Sequence, residues 1–171
     1  MTRARREDAT TTPADPAERA REIALRALTH SPRSCAQLRE KLIAKDVEPG
    51  LADSLIARYV EVGLLDDAAL AAQIARTRHS ERGLAPRAIR TELQRKGFAP
   101  ADIEAALEPI PDAIDDRASE LARKRWLALA GIDEDKRTRR VVGMLARKGY
   151  SPSNAFAVVK DWQRADKAGV D

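Results

Sequence analysis

The sequence is poor in the residues that most catalytic and metal sites need. It holds one cysteine, Cys35, in 171 residues, which excludes an internal disulfide and a cysteine-built metal cage. Its two histidines, His30 and His79, lack the spacing of a zincin-type site. Aromatic residues make up 4% of the chain and β-branched ones are scarce, so an all-β or parallel α/β fold is disfavoured. No apolar run approaches the ~18–20 residues that a membrane span requires. Residues 1–17, MTRARREDATTTPADPA, contain no apolar stretch that would serve as a signal peptide. A reducing, cytoplasmic setting is expected. There is no G-x-x-x-x-G-K-[ST] loop, no G-x-G-x-x-G and no H-E-x-x-H, and no Ser–His pair stands out. No catalytic residue, cofactor or metal is therefore expected, and the chain does not read as an enzyme.

What is abundant is alanine, with 32 copies, against 35 for Leu, Ile, Val and Phe together. A fifth of the chain in large apolar residues is near the lower limit for a folded protein. Several thin cores between helices, rather than one deep core, are expected from it. Ala, Leu, Arg and Glu favour helix. The expected fold is all-α.

The chain repeats itself. Gln37-Leu38-Arg39-Glu40-Lys41-Leu42-Ile43-Ala44-Lys45-Asp46-Val47-Glu48-Pro49, Arg90-Thr91-Glu92-Leu93-Gln94-Arg95-Lys96-Gly97-Phe98-Ala99-Pro100 and Val142-Gly143-Met144-Leu145-Ala146-Arg147-Lys148-Gly149-Tyr150-Ser151-Pro152 align on Leu-x-x-Lys-(Gly/Asp)-(apolar)-x-Pro. A helix that ends at the Lys places its charge at the negative end of the dipole. Gly97, Gly149 and, at some cost, Asp46 then take the left-handed position. The next residue packs back, pairing Val47 with Leu42, Phe98 with Leu93 and Tyr150 with Leu145. Each Pro opens the following helix, where its missing N–H costs nothing. The motif is a structural joint rather than a catalytic box.

Extending outward gives three helices per unit. In the first, Asp15-Pro16-Ala17-Glu18 starts a helix whose apolar stripe is Ile23, Ala24, Ala27 and Leu28. Ser34 and Gln37 form a capping box for the second. The third runs from Pro49 to about Val62 with Ala52, Leu55, Ile56 and Tyr59 inward. The middle unit has helices at about 66–81, 86–96 and 100–108; the last has them at about 112–130, 133–148 and 152–165. The expected organisation is a disordered tail at 1–15, three-helix repeats at 16–65, 66–109 and 110–166, and a frayed end at 167–171.

Charge is uneven although the net charge is only +4. Residues 76–96 hold seven basic and two acidic side chains, and residues 123–148 hold nine and three. Ile89 and Leu93 point inward, leaving Arg87 and Arg90 on another face. Val141, Val142 and Leu145 point inward, leaving Lys136, Arg140 and Arg147 as a stripe through Gly143. Arg outnumbers Lys 23 to 8, and its planar fork suits phosphates and carboxylates. For single arginines a solvated face is the plainer reading; the two clustered windows are candidate binding surfaces. The candidates are Arg78, Arg82, Arg87, Arg90, Arg95, Lys136, Arg140 and Arg147. His79 lies among Arg76, Arg78 and Arg82 and is either an addition to that surface or a surface histidine without a role. Cys35 reads as a small buried thiol in a helix's first turn, and Asp133-Glu134-Asp135 as an acidic helix start rather than a metal site.

Three tandem three-helix units with this joint resemble the RecX family, bacterial regulators of the RecA recombinase. The resemblance covers most of residues 18–165. It is most specific in the middle unit: Gly63-Leu64-Leu65-Asp66-Asp67-Ala68-Ala69-Leu70-Ala71, Arg78, Arg82-Gly83, Ile89 and Glu92-Leu93-Gln94-Arg95-Lys96-Gly97-Phe98. The family usually has an aromatic where Leu70 stands and a glycine where Asp46 stands. The resemblance implies an all-α protein in an elongated modular arrangement that lies in the groove of the RecA–DNA filament and reduces strand exchange, ATP hydrolysis by RecA and co-protease activity; a monomer with weak direct contact to DNA phosphates is expected. The alternative from the basic stripe at 136–147 is a helix-turn-helix protein acting directly on DNA. Against it, no dimerisation helix is visible to pair half-sites.

Overall fold

The computed structural model describes residues 15–111 and 116–168, apart from the side chains at 117 and 166–168. Among these residues there are nine helices and no strand: α1 (Pro16–His30), α2 (Cys35–Ile43), α3 (Pro49–Glu61), α4 (Asp67–Arg82), α5 (Pro86–Arg95), α6 (Pro100–Leu107), α7 (Asp116–Leu127), α8 (Glu134–Arg147) and α9 (Pro152–Ala168). The all-α expectation holds. Residues 1–14 of the tail expected at 1–15, and the start expected for α7 at 112–115, lie outside the described residues, while Asp15 caps α1. The last helix runs to Ala168, past the end expected near 165.

The helices start where the sequence signals them. Asp15 accepts a hydrogen bond from the Ala17 N–H at 3.1 Å. Ser34, fully buried, accepts from the Gln37 N–H at 3.2 Å while the Gln37 side chain accepts from the Ser34 N–H at 3.3 Å, which closes the capping box. Asp66 and Asp133 cap α4 and α8 in the same way, through Ala69 and Lys136. The acidic run at Asp133 is thus a helix start, and no group of metal-binding side chains exists among the described residues.

The three joints are Schellman endings. Asp46, Gly97 and Gly149 have φ of 60°, 77° and 94°. The N–H groups of Val47, Phe98 and Tyr150 donate to the carbonyls of Leu42, Leu93 and Leu145 at 3.1, 3.3 and 3.2 Å. All six of these side chains are buried, so the expected pairings form.

The described residues divide into two compact units between Leu65 and Asp66. In the first, α1 to α3 enclose a core of Ala20, Ala24, Ala27, Leu38, Leu42, Val47, Ala52, Leu55, Tyr59 and Leu65, with Ile23, Leu28, Ile56 and Cys35 partly buried at its edge. The second unit holds two cores. One lies between α4, α5 and α6 around Ile89, Leu93, Phe98 and Ile103. The other lies between α7, α8 and α9 around Trp126, Val141, Leu145, Tyr150 and Val159. Three thin cores are what so few large apolar residues can fill.

Within the second unit the two three-helix repeats are joined by a seam. Ala85, in the loop before α5, belongs to the core of the last repeat. Its N–H donates to the Lys148 carbonyl at 2.8 Å, and the Lys148 ammonium donates to the Arg82 carbonyl. Gly149 lies against Ala88: a Cβ on Gly149 would stand 2.7 Å from the Ala88 Cβ and 2.9 Å from its nitrogen. The joint after α8 therefore packs on the loop before α5 and on the first turn of that helix.

Candidate functional site

The structure sorts the eight candidate cations into two groups. Arg78 and Arg90 are engaged in ion pairs. Arg78 donates from Nε and Nη2 to the two carboxylate oxygens of Glu92, both at 2.8 Å, tying α4 to α5. Only 22% of the Arg78 side chain and 16% of the Glu92 side chain are exposed. These hydrogen bonds, with the guanidinium charge behind them, hold the Glu92 carboxyl below its ordinary value. Arg90 forms the matching fork with Glu104, tying α5 to α6, and lowers the Glu104 carboxyl in the same way.

The other six are exposed: Arg82 ends α4, Arg87 and Arg95 lie near the two ends of α5, and Lys136, Arg140 and Arg147 run along α8. No ion pair holds their side chains among the described residues. The seam brings the two windows to one place. Arg82 supplies the carbonyl that Lys148 takes, Arg87 precedes the Ala88 that Gly149 touches, and Arg147 precedes Lys148. Lys136 stands at the far end of α8, about 16 Å from Arg147 at the helical rise. Between them Gly143 leaves a flat place. The Arg147 guanidinium lies back along the helix, 3.6 Å from where a Gly143 Cβ would be.

Two residues near these windows turn away from the surface. His79 is half-buried, with Nδ1 3.0 Å from the Leu84 carbonyl, so it braces the end of α4 rather than adding to a phosphate-facing surface. Arg137 is flanked in sequence by the exposed stripe, yet its guanidinium carbon lies 3.7 Å from the centre of the buried Trp126 ring. Its Nε donates to the Trp126 carbonyl at 2.8 Å, in the last turn of α7, where a cation meets the negative end of the dipole. Both engaged arginines on α4 and α8 follow a rule that the sequence contains. Arg78 falls on the buried stripe of Ala71 and Ala75, and Arg137 on that of Val141 and Leu145. Helical spacing from those core residues would have singled them out.

This arrangement can bind anions on side chains alone. Among the described residues no group of three or more His, Cys, Asp or Glu side chains could hold a metal ion.

Comparison with known proteins accounts for nearly the whole chain. Models of the first, second and third three-helix domains of RecX match residues 20–58, 66–107 and 113–159. The regulatory protein RecX of Streptomyces coelicolor is 40% identical over 160 residues, covering 93% of this chain and 84% of that one. The regulatory protein RecX of Thermobifida fusca is 37% identical, covering 93% and 86%. In fold the chain is similar to the crystal structure of RecX from Lactobacillus salivarius, with a TM-score of 0.75 at 21% identity over 86% of this chain and 97% of that one.

Proposed function

Since the chain belongs to the RecX family of regulatory proteins, we propose that it restrains the RecA recombinase by binding, as a cytoplasmic monomer, to the RecA–DNA filament. Binding lowers strand exchange, ATP hydrolysis by RecA and co-protease activity. The observation that carries this reading is the match of all three RecX domains, in order, along one chain. The cationic surface supports it. Arg82, Arg87 and Arg95 on one repeat and Lys136, Arg140 and Arg147 on the next present exposed side chains to an acidic protein surface or to phosphate. Arg78 and Arg90 serve the reading as positioning residues, since their forks set α5 against α4 and α6. The protein acts by occupancy and has no turnover of its own.

The test is the double reversal Arg140→Glu with Arg147→Glu, assayed on DNA-stimulated ATP hydrolysis by RecA. These side chains lie two turns apart on one stripe. Exposed positions of this kind change stability by no more than ~0.5 kcal/mol each, so the melt should stay in place while inhibition weakens and its salt dependence flattens. A folded double variant that inhibits at the wild-type concentration removes this surface from the interaction. Absence of any inhibition by the wild-type protein defeats the reading itself.

A further inference from the structure

The first unit carries a basic groove that the reading above does not use. It lies between α1 and α2, has a volume of about 500 Å³, and is lined by the cations Arg19, Arg26, Arg33, Lys41 and Lys45, with His30 at one end. Its single carboxylate is Glu22, which pairs with Arg26 at 3.1 Å across a contact open to solvent. Two of the guanidinia are held in place by backbone carbonyls. Arg19 donates to the Lys45 carbonyl at 3.2 Å, and Arg33, half-buried, donates to the Ala27 carbonyl at 3.4 Å. Lys41 and Lys45 stand one turn apart and are exposed.

Capping explains part of this. Arg33 and Arg19 sit on carbonyls near the C-terminal ends of α1 and α2, where cations are favoured. It does not explain five cations converging on one groove against one carboxylate, which leaves like charges facing each other at a cost. We propose that this groove binds the phosphodiester backbone of DNA without reading its bases.

The lining decides between occupants. A protein partner is anchored by aromatic or aliphatic side chains in a centre depleted of charge. Here the reverse holds, since Ile23 and Ala27 are the only apolar residues in the lining. A free nucleotide is cradled by backbone N–H groups of a glycine-rich loop, and the sequence has none. The α1 cations Arg19 and Arg26 stand two turns apart, about 10 Å along the helix. That separation spans about three phosphates of one strand, at one per ~3.4 Å of duplex axis. No Phe, Tyr or Trp ring lines the groove for a base to stack on, so binding is indifferent to sequence and depends on salt.

The full chain is titrated onto a labelled 30-mer DNA, single-stranded and duplex, by fluorescence anisotropy across a salt series with no RecA present. The outcome is therefore separate from that of the filament reading. Lys41→Glu with Lys45→Glu should weaken binding at least ~10-fold at low salt and reduce the magnitude of the salt slope by about 1.5–2, the loss of two phosphate contacts. Lys41→Gln with Lys45→Gln should flatten the slope by the same amount with a smaller loss of affinity, and guards against a reversal that unfolds α2. Wild-type affinity and slope in both variants would overturn the proposal. So would undetectable DNA binding by the wild-type chain, or polyglutamate of matched charge displacing the DNA as well as unlabelled DNA does.

Discussion

The first and third copies of the joint follow the same backbone path with different neighbours. Asp46 and Gly149 both have positive φ, 60° and 94°, and both precede a residue whose N–H returns to the buried Leu. Asp46 is exposed, and a short polar side chain tolerates its conformation. Gly149 has Ala88 where a Cβ would go. The left-handed turn thus permits more than one residue, while the seam permits only glycine. A second position shows the same divergence. The Arg39–Asp53 pair of the first repeat ties α2 to α3, as Arg90–Glu104 ties α5 to α6. In register with the shared Leu and Pro, the third repeat has Val142 and Phe156 there. Val142 packs against the core, and Phe156 is 52% exposed. The repeats share what each needs to fold and differ in what each touches.

The largest effect should be common to all copies. Leu42→Ala, Leu93→Ala and Leu145→Ala each remove a fully buried side chain and should each cost about 2–5 kcal/mol in urea melts. A cost near zero at any one of them would show that the copies are not equivalent at the joint.

Next comes the seam. Gly149→Ala combines a positive φ with an overlap on Ala88 and should cost about 2–4 kcal/mol. It should also release the hydrogen bond from the Ala85 N–H to Lys148, read as faster amide exchange at Ala85 than at Ile89. Unchanged protection at Ala85 would remove the distinction drawn between Gly149 and Asp46.

The Arg78–Glu92 fork follows. Glu92→Gln leaves a partly buried guanidinium short of its partner and should cost about 1–3 kcal/mol at neutral pH. Because the Glu92 carboxyl is held below its ordinary value near 4.5, its contribution is present above that pH and disappears as pH falls through the lowered value. Wild type and variant should therefore converge in stability in acid. A difference that persists at low pH would assign the cost to packing rather than charge.

Asp46→Gly should have the smallest effect, a gain of up to about 1 kcal/mol from relief of the left-handed conformation. A clear loss would mean that the aspartate does more than occupy the turn.

Much of the fold was legible because its signals are local. Caps at Asp15, Ser34, Asp66 and Asp133, positive φ after each Lys, and prolines at the next helix start all act within a few residues. The apolar stripes repeat with the helix. The candidate surface was legible only in part. Arg78 and Arg90 share their linear windows with the exposed cations and nothing local separates them, while the cations of the groove on α1 and α2 are diluted by acids in any linear window. Lys41 and Arg19 come together only when α2 lies along α1.

The amino-acid sequence alone therefore determined the nine helices among the described residues, the three joints, the thin cores and the family. These depend on backbone hydrogen bonds and side-chain spacing that a short segment satisfies by itself. Tertiary structure decided which cations face outward, which ones close a fork across two helices, and that Gly149 must accept Ala88. Those outcomes depend on partners 14 residues away at Glu92 and Glu104, and on a loop more than fifty residues upstream at the seam. At such separations no local rule acts, and only the packing of one helix on another decides which groups meet.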